Sequence, residues 1–180
     1  MFQISCVLLL IVSMTLIVRL MLKHLSGDRL TVGLMVVLGI YTLGNLYCTI
    51  FSRVIGSGVT VELRPFIALV NLFKESADGF GNAEGFFSWF MRGSWPITIL
   101  ILNILLYYPL GYLLPILFPK LRPKHVVLIG CFCSIFTEAT QYLLKLGWCE
   151  TDDVIHNTLG TAIGVWVWCL QLRKQERNEA

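Results

Sequence analysis

Charge is what this chain has least of. Only 14% of its 180 residues are Asp, Glu, Lys or Arg, 56% are hydrophobic, and the mean hydropathy is +0.74. Soluble domains carry about 25% charged residues, so this composition excludes an ordinary soluble domain. The net charge of +3 is too small to argue for nucleic acid, and a basic rim on so apolar a chain reads as lipid anchoring. Internal repeats, low-complexity tracts and a G-x-S-x-G nucleophile motif are also missing. The six cysteines make no metal pattern. Structural zinc needs paired ligands in two clusters, and only Cys131 and Cys133 are close. Two helix positions apart means about 200° of rotation, so those two share no ligand face. Neither a metal nor any other cofactor is expected.

Long apolar runs, by contrast, are plentiful. A bilayer core needs about 20 apolar residues per helix. Five segments qualify: Phe2 to Leu22, Leu30 to Phe51, Trp95 to Phe118, His125 to Leu144 and Val154 to Leu170. The first is too long for a signal peptide, follows no basic residues and ends in no small-x-small site, so it reads as a retained span. The fold class expected is all-α, a single polytopic membrane domain over 1–180. Basic residues fall in alternate connections: Lys23 with Arg29, then Lys120, Arg122 and Lys124, then Arg173, Lys174 and Arg177. The positive-inside rule puts these in the cytoplasm, with the N-terminus outside and the C-terminus inside.

The connection over 52–94 is then extracytoplasmic, too long for a turn and too apolar for a disordered linker. Pro65 is suited to open a short helix through Phe73. Phe86, Phe87, Trp89, Phe90 and Trp95 suit the headgroup level, as parts of interfacial or re-entrant helices. Gly79, Gly81 and Gly85 read as the joint between the two pieces.

Polar residues three or four apart mark the helix face turned to other helices or to a cavity. Such stripes are Asn45, Thr49 and, just beyond the membrane, Arg53 for the second span, and Asn103, Tyr107 and Gly111 in the third. The fourth has Ser134, Glu138, Gln141 and Lys145; the fifth has Asp153, Asn157, Gly160 and Gly164. Pro109 and Pro115 are expected to kink or break the third span. Gly160 and Gly164 form a G-x-x-x-G that admits another backbone. The first span has only Arg19 near its cytoplasmic end and reads as peripheral. At about 1.5 Å per residue, Asn103, Glu138, Gln141 and Asn157 lie within roughly 12 Å of the outer ends of their spans. A polar pocket in the outer leaflet follows. Lone Asn45, Thr49 and Ser134 read more readily as interhelical glue, and His156 as a packing residue. Glu138 needs a proton or a cation, for which Lys145, Arg53 and Arg64 are candidates.

These residues resemble the VanZ family of small bacterial membrane proteins. Three blocks carry the likeness. The first is Arg64-Pro65-Phe66, where the family commonly reads N-L-x-P-F. The second is N-I-L-L-Y-Y-P-L-G-Y-L-L-P from Asn103, with Pro109 and Gly111. The third is Ser134, Glu138 and Gln141, followed by Glu150, Asp153, Asn157 and Gly160. The resemblance is strongest over 62–164. It departs at Glu62, where the family usually has asparagine, and at Glu150, which replaces an aspartate and keeps its charge. The resemblance implies a bacterial plasma-membrane protein with a cell-envelope role, for the founding member lowered susceptibility to teicoplanin-type glycopeptide antibiotics. It implies no enzyme mechanism.

Three function classes remain. The first is a membrane protein that binds a lipid-like or lipoglycopeptide molecule at its outer face. Arg53 and Arg64 would meet anionic groups, Glu138, Asp152 and Asp153 would receive amines, hydroxyls or a cation, and Asn103, Gln141 and Asn157 would orient them. The second is an intramembrane enzyme on a lipid-linked envelope precursor, with Glu138 as acid or base and Asp152 and Asp153 holding Mg²⁺. Adjacent aspartates are a weak metal signal and no catalytic motif is present, so enzymatic activity is not the expectation. The third is a scaffold subunit whose polar stripes only join helices.

Overall fold

A computed structural model describes residues 14–67, 70 and 83–179, without the side chains of 83–96, 175, 176, 178 and 179. The protein is mostly helical. Helix α1 is described over 14–24, and α2 spans Gly27–Leu46 and continues into a π-helical turn, Tyr47–Phe51. Then come α3, Ala83–Leu117, α4, Pro123–Leu143, and α5, Thr151–Glu179. Among the described residues, three stretches are long and apolar enough to cross a membrane: Gly27–Phe51, Ile97–Leu117 and Pro123–Leu143. The 52–94 connection is described only in part: the expected Pro65 to Phe73 helix lies mostly outside the described residues, as do Gly79, Gly81 and the interfacial aromatic side chains.

Two features differ from the sequence reading. The all-α expectation missed a small parallel sheet, in which β1, Gly58–Glu62, pairs with β2, Leu146–Glu150, Gly58 opposite Leu146 and Glu62 opposite Glu150. The parallel sense has a simple cause. One strand follows α2 and the other follows α4, whose C-terminal ends lie side by side, so both leave in the same direction. The second is at Pro109 and Pro115: of the kink or break expected there, no break occurs, and α3 stays one helix through to Leu117. A membrane helix tolerates proline where neighbouring helices re-satisfy the freed backbone groups.

α5 is wedged between α3 and α4, with glycines at several of its close approaches. A Cβ on Gly160 would fall on the Ile104 carbonyl, one on Gly164 on the Tyr108 carbonyl, and one on Gly111 on the Thr161 carbonyl. Here glycine is required by space, because backbone meets backbone. On its other side α5 sets Thr161 against Gly130 of α4. The core lies nearer the basic ends of the helices: Val18, Leu34, Tyr112 and Leu113 are fully enclosed or nearly so, and Leu114, Val126 and Val165 form a second cluster. Val18 packs the first helix on this core, although Leu16, Ile17 and Leu20 stay exposed.

Candidate functional site

The C-terminal ends of α2 and α4 and the N-terminal end of α5 meet beneath the strand pair. A helix end leaves carbonyls without intrahelical partners. The Thr49 carbonyl, in the π-helical turn of α2, is one of these, and the Gln141 side-chain amide donates to it at 3.1 Å. The Arg53 guanidinium donates to the Leu146 carbonyl at 3.4 Å, and the Gly56 amide to the Leu144 carbonyl at 3.1 Å. These contacts join the ends of two helices that sequence spacing could describe only singly.

α4 and α5 run antiparallel, so the polar stripe of one meets that of the other in reverse order. The Asn157 amide donates to the Ser134 hydroxyl at 2.9 Å. One turn further along, Glu138 Oε2 accepts the Glu150 backbone N–H at 3.0 Å, with the Cys149 thiol as a neighbour of the carboxylate. Asp153 acts electrostatically on Glu138 and accepts a hydrogen bond from Asn103 Nδ2 at 2.5 Å, which adds α3 to the cluster. Tyr107 and Thr137 share a hydrogen bond at 3.1 Å between α3 and α4. Glu138 is 6% exposed, Gln141 2% and Asn157 4%.

Thr49, Arg53, Asn103, Glu138, Gln141, Asp153 and Asn157 therefore belong to one connected cluster drawn from four helices. Arg53 is its cation, acting on Glu138, Glu150 and Asp153. Two buried oxygens in it, Gln141 Oε1 and Asn157 Oδ1, have no hydrogen-bond partner. An unpaired buried acceptor costs roughly 1–3 kcal/mol, so this cluster is not fully satisfied by its own groups.

Three candidates are placed elsewhere. Arg64 is 74% exposed and pairs with Glu62 at 2.7 Å, rather than with Glu138 or Asp153. That contact holds the Glu62 carboxyl down at about 2, through the Arg64 side-chain and backbone hydrogen bonds. Asp152 faces away from Asp153, as consecutive helix positions must. It is buried, and its Oδ1 accepts the Phe66 backbone N–H at 2.5 Å. This clamp, with Thr151 donating to the Leu63 carbonyl, holds Phe66 at a φ of 60° beside Pro65. Lys145 is exposed and caps α4 at a φ of 52°; its contact here is its carbonyl, which accepts from Ser57. Asn45 donates to the Tyr41 hydroxyl, which donates to the Leu106 carbonyl and so ties α2 to α3.

Cys149 and the Glu150 amide were missed by sequence reasoning, and so was the buried Nδ1 of His156, which lacks a partner. A backbone amide carries no residue-type signal, and Cys149 sits in a strand without periodic neighbours. Outside the spans, Glu150 is pushed up from the usual carboxylate range by burial and by the nearby Asp152 and Glu62, with Arg53 opposing. No group of three or more His, Cys, Asp or Glu among the described residues is placed to hold a metal ion. The arrangement can accept hydrogen-bond donors and positive charge at the carboxylates, and can present guanidinium donors to an anion.

A protein-family model described as VanZ/LLP1 matches residues 38–172, most of the chain and all of this cluster. No curated protein and no solved structure matches it significantly.

Proposed function

Because the chain belongs to the VanZ/LLP1 family, we propose that it is a multi-pass bacterial plasma-membrane protein that binds a lipid-like or lipoglycopeptide molecule at the outer face and thereby alters glycopeptide access to the envelope. Five spans, the N-terminus outside and the C-terminus cytoplasmic, complete the topology of this reading. The observation that carries it is the cluster of Arg53, Glu138 and Asp153 at one end of the bundle, with Gln141 and Asn157 oxygens unpartnered beside it. An apolar chain retains an ionisable group at such depth only where a partner or a site offsets a cost of a few kcal/mol or more. Membrane lipids are the constant neighbours of this cluster, and teicoplanin-type drugs, with their acyl tail, act outside.

A scaffold role is favoured by one observation, the density of hydrogen bonds inside the cluster. Thermal melting of Glu138→Gln in detergent separates the two. A ligand carboxylate leaves the melting temperature within a few degrees of wild type and removes ligand retention. A purely scaffolding carboxylate lowers the melting temperature and leaves any ligand retention of the folded fraction intact.

A further inference from the structure

The cluster has two unlike halves, and each keeps hydrogen-bonding groups without a partner. The Arg53 guanidinium carries five N–H donors, and the one hydrogen bond described for it is the 3.4 Å contact with the Leu146 carbonyl. It is half-buried, with Glu150 and Asp153 equally half-buried, so this side of the cluster is open. Beneath it lie Glu138 and Gln141, almost fully enclosed and one turn apart on the same face of α4. One guanidinium acts electrostatically on three carboxylates, those of Glu138, Glu150 and Asp153, and none of the three is within ion-pair distance of it. Glu138 and Asp153 accept only two described hydrogen bonds between them, and Gln141 Oε1 accepts none.

A molecule that satisfies both halves must carry an anion for Arg53 and, a few bonds away, a positively charged donor for Glu138, Asp153 and the Gln141 oxygen. A phosphate suits a guanidinium fork. A primary ammonium offers three N–H donors, whereas a quaternary ammonium has the same charge and none. We infer that the outer polar cluster is a headgroup site for a phosphoethanolamine-type zwitterion, with its phosphate on Arg53 and its primary ammonium on Glu138, Asp153 and Gln141. This rests on the ligand-pocket reading above and gives that pocket a ligand class.

The test is lipid retention by native mass spectrometry on the purified full chain, after exchange into an equimolar mixture of phosphatidylethanolamine, phosphatidylcholine and phosphatidylglycerol with identical acyl chains. Wild type should retain the ethanolamine lipid at least about tenfold over the choline lipid, the difference a charge-assisted hydrogen bond makes. Glu138→Gln should reduce that preference to about twofold or less. Asp153→Asn serves the same purpose if the first variant fails to fold. Arg53→Gln should lower retention of all three phospholipids alike. Competition by soluble phosphoethanolamine at millimolar concentration would support the site and identify the headgroup alone as sufficient; its failure, with the lipid preference intact, would support a lipid source. Equal retention of ethanolamine and choline lipids overturns the inference and leaves the pocket reading standing. Retention of no phospholipid and no lipoglycopeptide overturns both.

Discussion

Glu62 and Glu150 stand opposite each other at the end of the strand pair, yet their protonation is pulled in opposite directions. Glu62 has Arg64 at its side and stays low, so its contribution to stability is present above the ordinary carboxylate value of 4.5 and is lost as pH falls through about 2. The pair is exposed, and its contribution is correspondingly small. Glu150 is raised by burial, Asp152 and Glu62, so the folded protein holds that proton more tightly than the unfolded chain does. Stability should therefore fall as pH rises from 4.5 through the raised value, and the cost should persist above it. Melting curves across pH 4 to 8 check this. Glu150→Gln should flatten the fall; an unchanged profile in the variant would show that Glu150 is not its source.

At the scale of elements, the close crossings of α5 with α3 set the geometry of the site, because α3 carries Asn103 and α5 carries Asp153. Gly111→Ala or Gly160→Ala drives a methyl group into a facing backbone carbonyl and should destabilise the protein by roughly 1–3 kcal/mol, as overpacking does. Alanine at Gly39 or Gly44, where nothing lies within 4 Å, should be neutral or mildly favourable in the same melting assay. The strand register has its own check. Val61 pairs with Cys149, so Val61→Cys should form an intramolecular disulfide with the native Cys149 under mild oxidant. Val59→Cys, opposite Gly147, should not form it with comparable yield.

Across the whole molecule, what was legible in the sequence and what was not divide along a physical line. Apolar runs of about 20 residues announce membrane helices because the bilayer dictates their length. α5 is less apolar than the three spans over 27–51, 97–117 and 123–143, because it carries an inward polar face, Asp153, Asn157 and Thr161, and ends in a run of polar and charged residues from Arg173. The strand pair was not legible: five residues with no lasting alternation join a partner 88 positions away, and only the juxtaposed helix ends make that pairing local. In the site, helical spacing indicates which side chains share a face, as for Ser134, Glu138 and Gln141. It cannot indicate that the partners of Glu138 and Gln141 are the Glu150 amide and the Thr49 carbonyl, since backbone groups are the same at every residue. Arg64 was misplaced for a related reason: a nearby Glu62, two residues away, outcompetes a distant carboxylate. Topology is checked by labelling from outside intact cells in a background without the six native cysteines. A cysteine at Arg64 should react with an impermeant maleimide, and one at Lys120 should react only after permeabilisation.

The central claim is that the carboxylates beneath the strand pair act on a ligand at the outer face. Its most direct test is teicoplanin susceptibility of cells expressing wild type, Glu138→Gln and Asp153→Asn at equal membrane abundance and with equal melting temperatures. Wild type should raise the inhibitory concentration, and both variants should return it to that of cells without the protein. Full protection by both variants would contradict the account.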